Sequence, residues 1–253
     1  MCLNSGKANK MPKQKRVLFD IKNLEKSFGA KTVLFIKNLS IHPGTIYGIH
    51  GNIGSGKSTL LEILSGNIKE DSGIMLYDNS EYKKDWLGRI IPEKEIFYKN
   101  LDEKKYQNMS VKSFVNENLN KNSNIFIKRY FDNNQSKEFL NTKISNITNG
   151  EKNWLMMLLA IESDPRAALI DNYGIFFDSN MERNFRSDIL KMNRRLGTTF
   201  IISAPSDFYL KQFASVLIRL EKGRISKIRS GISRKVVNKR KSKPRQKNRK
   251  RRH

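Results

Sequence analysis

Gly51-Asn-Ile-Gly-Ser-Gly-Lys-Ser58 is the stretch that decides how this 253-residue chain is read. It satisfies the spacing G-x-x-x-x-G-K-S, and its flanks matter as much as its letters. Thr45-Ile-Tyr-Gly-Ile-His50 is apolar enough for a buried strand. From Ser58 onward Leu60, Leu61, Ile63 and Leu64 recur at helical spacing and stop at Gly66. Strand, glycine-rich loop and helix in that order make a phosphate cradle. Gly54 and Gly56 let backbone N–H groups curl around phosphate oxygens, and Lys57 sets a charge against the β and γ phosphates. Ser58 offers a hydroxyl to Mg2+, and the helix aims its positive end at the anion. The phosphate-contacting residues are therefore expected among Gly51, Asn52, Gly54, Ser55, Gly56, Lys57, Ser58 and Thr59.

Outward from the loop the chain reads as strands and helices of one α/β body. Val17–Leu24 and Val33–Ile41 are short, apolar and partly alternating, and are predicted as strands joined by a turn at Gly29. A turn at Asp71-Ser-Gly73 precedes a strand at Ile74–Tyr77. Residues 94–145 change character: rich in Asn, Lys, Phe and Tyr, without alternation, they predict several short helices. Ala167–Ile170 and Thr199–Ser203 are again apolar strands, with a polar helix Met181–Leu196 between them, and Val216–Leu220 and Arg224–Ile228 close the body. Such an order predicts a three-layer α/β core with an inserted helical lobe.

Composition excludes several classes. With 38% hydrophobic residues, 14 Phe and 8 Tyr, the chain has the means to bury a core. Its longest purely apolar run, Trp154–Ile161, is far below the roughly 18–20 residues of a membrane span. No secretory leader is visible in the first thirty residues. The single Cys2 removes any internal disulfide framework or multi-Cys metal cage and fits a reducing cytoplasm.

The net charge of +25 is unevenly spread. Residues 222–253 hold sixteen Lys/Arg and no acid, and residues 1–16 hold five and no acid. That leaves about +4 for the 205 residues between them. The expected layout is a basic extension over 1–16, a nucleotide-binding body over 17–229 with a helical subdomain at about 94–165, and a basic tail over 230–253. Without a hydrophobic residue after Val237, the tail cannot bury anything and is expected to be disordered in isolation. Its chemistry suits a polyanion, either RNA phosphates or anionic lipid at a membrane surface.

With these features in place the sequence resembles the ATP-binding cassette (ABC) ATPase family over roughly residues 17–228. The resemblance rests on Thr45 through Thr59, Leu60-Leu-Glu-Ile-Leu-Ser-Gly66, Asp71-Ser-Gly73 and Glu221-Lys-Gly-Arg-Ile225. It implies a P-loop NTPase-type three-layer core with an N-terminal antiparallel β-subdomain and an inserted small helical subdomain. It also implies ATP and Mg2+ as cofactors. Phe28 stands where the family places an aromatic against adenine. Ala168-Leu-Ile-Asp171 resembles the second nucleotide motif, with Asp171 toward Mg2+, and Asp178 falls at the family's D-loop aspartate.

Four positions depart from the family pattern. Asn172 stands where the family carries the glutamate that activates water, and an amide has no titratable states near neutrality with which to take that proton. General-base catalysis is worth roughly 10²–10⁴ in rate, and that factor is expected to be missing. Pro205 stands at the switch-histidine position and has no imidazole. The signature reads Ile147-Thr-Asn-Gly-Glu151, in which Thr148 and Gly150 keep the hydroxyl and one glycine; Thr148 and Glu151 also space as a helix capping box. Glu93, in Ile91-Pro-Glu-Lys94, is matched to the Q-loop glutamine as a Mg2+ ligand, or is simply an exposed loop acid.

The resemblance implies the ATP-binding subunit of an ABC transporter, cytoplasmic and peripheral at the inner face of the membrane, with membrane-spanning subunits on separate chains. Hydrolysis at its own site is expected to be weak or absent, which favours a heterodimer with a second, competent cassette. The alternative is a soluble ATP-gated module acting on RNA or ribosomes through its basic tail.

Overall fold

The computed structural model describes residues 16–119, 122–131 and 134–231, with the side chains of 134–136 left aside. The expectations for residues 1–15 and 232–253 fall outside these residues. Two sheets carry the described chain. The smaller is antiparallel in the order β2-β1-β4, from β1 (Phe19–Phe28), β2 (Lys31–Ile41) and β4 (Ser72–Tyr77). Along β1 the inward set is Phe19, Ile21 and Leu24, which breaks strict alternation. The pairing with β4 shifts register between Lys22 and Glu25, and Asn23 takes φ +48°, so an extra residue re-aims the strand and keeps all three side chains inside.

The larger sheet has the order β5-β6-β7-β3-β8-β9, formed by β3 (Ile46–His50), β5 (Ile96–Phe97), β6 (Ala167–Ile170), β7 (Thr199–Ala204), β8 (Val216–Glu221) and β9 (Arg224–Ser230). The first five are parallel and only β9 runs against its neighbour. Both faces of this sheet are covered, so β6 and β7 are buried along their whole length and read as continuous apolar runs. On one face Tyr47, Ile49, Leu169, Ile201 and Ile218 pack with the antiparallel sheet and α1 (Lys57–Ser65). On the other, Ile46, Ala168, Ile170, Phe200 and Ile202 share a core with the helices.

Those helices are α2 (Lys104–Gln107), α3 (Val111–Leu119), α4 (Ser123–Tyr130), α5 (Asn134–Asn141), α6 (Asn149–Glu162) and α7 (Ser179–Arg195). The short helices predicted over 94–145 are α2 to α5. The helical lobe nevertheless begins later than residue 94, because Ile96–Phe97 pairs with Ala167–Ala168 as the edge strand of the large sheet. Because the strands are parallel, the carboxyl ends of β3, β5, β6 and β7 meet at one edge, where ligands of open α/β sheets bind.

Candidate functional site

The phosphate loop fills the turn from β3 into α1. Gly51 has no room for a side chain: a Cβ there would lie 2.1 Å from the Leu220 carbonyl oxygen. Gly56, at the start of α1, takes φ +94°, and a Cβ on it would lie 2.9 Å from the Val33 carbonyl oxygen of β2. The loop is thus pressed between the two sheets, which is what glycine at both ends permits. Lys57 is buried, and its ammonium donates to the carbonyls of Gly51 (2.8 Å) and Asn52 (2.9 Å) and to Ser55 Oγ (3.3 Å). Burial lowers its pKa and the Asp171 carboxylate partly opposes this, so a cation is held inside the loop with neutral partners only. Ser55 is buried in the loop wall, Ser58 is exposed, Thr59 is half-buried on α1, and Gly54 takes φ +76°.

At the end of β6, Asp171 is held by its neighbour strand. Ser203 of β7 donates its hydroxyl to Asp171 Oδ1, and the Asn172 N–H donates to the same oxygen at 3.0 Å and to Ser203 Oγ at 3.2 Å. Asn172 takes φ +57°, a conformation Asn tolerates better than most residues. Asp171 and Ser58 line one cleft of about 420 Å³, together with Glu62, Asn100, Asn149 and Lys152. Glu62 lies one turn beyond Ser58 on α1. Its carboxyl is pushed up by burial and by the nearby Asp171 and Glu103 carboxylates, against a hydrogen bond with Asn100.

Other expected positions fall around this cleft. Pro205 is exposed directly after β7, beside Gly51 and Asn52 and away from Ser58. Phe28 is 52% exposed at the tip of the β1–β2 hairpin, with the Lys26 ammonium 5.5 Å from its ring centre. Thr148 caps α6: its hydroxyl accepts from Glu151 N–H at 3.2 Å, and its own N–H donates to Glu151 Oε2 at 2.8 Å. Neither Thr148 nor Gly150 lines the cleft; Asn149 and Lys152 do, from the same helix start. Asp178 caps α7, accepting from Asn180 and Met181 N–H groups at 2.8 Å each.

Glu93 requires correction. It sits three residues before β5, its carbonyl accepting from Ile96 N–H, and Ile96 is level with Ala167 at the start of β6. That is the amino end of the sheet, opposite to Asp171, and the cleft does not include it. The chain emerges at the carboxyl end of β5 through Tyr98, Lys99 and Asn100, which do line the cleft. Glu93 was matched to the Q-loop glutamine by the family resemblance alone, and a two-residue strand is too short to leave a pattern that would place it. Ser203, Glu62 and Asn100 are the residues sequence reasoning passed over. The only available signals were a lone serine in an apolar strand and a carboxylate four residues after Ser58.

A glycine-lined cradle around a buried, acid-free ammonium, next to a hydroxyl and an oriented carboxylate, fits a nucleotide phosphate with its divalent cation. Among the described residues no three His, Cys, Asp or Glu group together to hold a metal by themselves, so such a cation would depend on phosphate oxygens as well. The family model described as ABC transporter matches residues 35–173, more than half of the chain. The chain belongs to the ABC transporter ATPase family. Among this family's members, it is 26% identical over 208 residues to the tungstate uptake system ATP-binding protein TupC of Peptoclostridium acidaminophilum, covering 81% of this chain and 95% of that protein. It is 27% identical over 234 residues to the tyrosine transport ATP-binding protein of Clostridioides difficile, covering 82% and 90%. In three dimensions it resembles a dimeric bacterial ABC transporter cassette, with TM-score 0.68 at 18% identity over 85% of this chain and 100% of that one. As an ABC cassette, its site combines a complete phosphate loop with an amide after the acidic strand end and a proline after β7. No helix among the described residues is long and apolar enough to cross a membrane.

Proposed function

We propose that this chain is the ATP-binding subunit of an ABC transporter that binds Mg2+-ATP at Gly51–Ser58 and Asp171, hydrolyses it weakly at its own site, and drives membrane-spanning subunits carried on other chains. The observation that carries the reading is the joint placement of Ser58 and Asp171 in one cleft beside a loop with a buried Lys57, with Asn172 where a base belongs. Lys57 and the loop N–H groups would hold the phosphates, and Ser58 and Asp171 the cation. The cation supplies charge neutralisation between the phosphates. Ser203 fixes the Asp171 carboxylate. Asn172 donates its backbone N–H to that carboxylate and offers an amide to water, which orients it without taking its proton.

Thr148 is exposed and Gly150 half-buried at the start of α6, and neither lines this chain's own cleft, which supports their use by a second cassette in a head-to-tail pair. Because this chain lacks a base, a heterodimer with a competent cassette is the pairing that retains turnover. The location that follows is the cytoplasmic face of the membrane.

The test is nucleotide binding and turnover by the purified protein. Expected are ATP binding that Lys57→Ala removes and turnover at least a hundredfold below a base-carrying cassette, with a gain on Asn172→Glu. Asn172→Asp, which suits the left-handed backbone, controls for strain at that position. Robust turnover by the unmodified chain, abolished by Lys57→Ala, would refute the weak-hydrolysis part.

A further inference from the structure

A second groove, of about 360 Å³, borders the phosphate loop at Gly51 and Asn52 and shares no lining residue with the nucleotide cleft. Its walls include His50, Asn52, Ser206, Asp207, Arg219, Lys227 and Arg229. The strand registers explain why these side chains converge. His50 at the end of β3 is level with Arg219 on β8, and Arg219 is directly opposite Lys227 on β9. His50, Arg219 and Lys227 therefore form one row across three neighbouring strands, at the sheet spacing of about 4.8 Å. Leu217 and Arg229, two residues along, add a further cation on the same face.

Like charges placed directly opposite on adjacent strands are destabilising. Nothing in the core calls for them here, since Arg219 and Lys227 are exposed. The local acids offset only part of the charge. Asp207 pairs with Arg229, and Glu221 pairs with Arg219 at 2.5 Å, while no acid is bonded to Lys227 among the described residues. These are exposed pairs, which contribute little and exchange readily for another anion. Among the residues that line the groove, three cations (Arg219, Lys227, Arg229) stand against one acid (Asp207). The His50 imidazole is held below its ordinary value by burial, with Arg229 and Arg219 acting in the same sense and Asp207 and Glu221 against.

We infer that this groove binds the sugar-phosphate backbone of a single-stranded nucleic acid. A concave slot with converging guanidinium groups suits a thin polyanion better than the flat face of a bilayer. Phe208, next to Asp207 in the chain, is 58% exposed, with the Lys211 ammonium 5.6 Å from its ring centre, and offers a ring on which a base can stack. β9 also leads directly into residues 232–253, which carry twelve Lys/Arg and no acid, so the cationic track continues in the sequence beyond the groove. Arg219, Lys227 and Arg229 would contact successive phosphates, without reading bases, and the binding would be salt-sensitive. The groove adjoins the phosphate loop through Gly51 and Asn52, while Arg219, Lys227 and Arg229 lie outside that loop.

The test uses the full chain and a fluorescein-labelled 20-nucleotide oligouridylate, with anisotropy read from 50 to 300 mM salt. Arg219→Glu with Lys227→Glu is expected to weaken binding at least tenfold and to flatten the log–log salt slope by about 1.4, two phosphate contacts at roughly 0.7 each. Phe208→Ala is expected to weaken it at least fivefold. Affinity for a fluorescent ATP analogue should stay unchanged in all variants, and Arg219→Gln with Lys227→Gln serves if the charge reversal misfolds. Unchanged oligouridylate affinity and salt slope in a folded double variant would place any binding in the tail alone and overturn the inference. Binding of phosphatidylserine vesicles or polyglutamate without binding of the oligouridylate would overturn it as well.

Discussion

Ser203 bears directly on Asp171. Its hydroxyl donates to the carboxylate while accepting from the Asn172 N–H, so one side chain orients both residues at the end of β6. Partners of this kind around a metal-facing carboxylate are typically worth 10–100-fold in metal affinity. Ser203→Ala should therefore weaken Mg2+-dependent ATP binding roughly tenfold while leaving metal-free nucleotide binding nearly unchanged, as read by titration with and without EDTA. Asp171 was legible in the sequence because the family's second nucleotide motif is an apolar run ending in an acid, which Ala168-Leu-Ile-Asp171 resembles. Ser203 was not, because its value comes from β7 lying beside β6, and the two residues are far apart along the chain. Glu93 shows the converse: the resemblance matched it to a Mg2+ ligand, and its place at the amino end of the sheet removes it.

Among the elements, α6 is the one whose start the resemblance matched to the family's signature. The Thr148–Glu151 capping box satisfies N–H groups that the first turn leaves without helical partners. Thr148→Ala should cost about 1 kcal/mol in urea unfolding, and Thr148→Ser should cost little. A larger loss of nucleotide-driven dimerisation with a partner cassette in Thr148→Ala would separate the cap from an interface role. The box was readable from four letters because capping is local. β5 was not, because two residues carry no period, and its existence depends on Ala167–Ala168 being there to pair with. Once β5 is in place, Asn100 rather than Glu93 reaches the cleft.

At the level of the whole molecule, pH should expose which charges the fold uses. Asp71 lies below the ordinary carboxylate value, held first by the hydrogen bond from Lys26 and then by the Ser27 N–H. Asp85 is likewise lowered, first by the Arg89 N–H. With folded values below unfolded ones, both stabilise the protein above about pH 4, and that contribution is lost as pH falls through the folded values. His50 is also lowered, chiefly by burial, so below its ordinary 6.5 the unfolded chain takes up the proton first and stability falls on acidification there too. The melting temperature should therefore drop from about pH 6.5 downward and again below about pH 4, in a buffer series read by scanning fluorimetry. His50→Gln should remove the upper stage and leave the lower one.

The sequence by itself determined the phosphate loop, the strand–helix order around it, the acid at the end of β6 and the amide and proline that depart from the family. The first three are local signals, carried by glycine spacing and hydrophobic period within a few residues; the amide and the proline stand out only against the family resemblance. Only the tertiary structure decided what faces what. Parallel pairing brought the ends of β3, β5, β6 and β7 to one edge, joined Ser203 to Asp171 and sent Glu93 to the other end. It also aligned His50, Arg219 and Lys227 in a single row across three strands. Strand register couples residues that are distant in the chain, and no spacing along the sequence encodes that coupling.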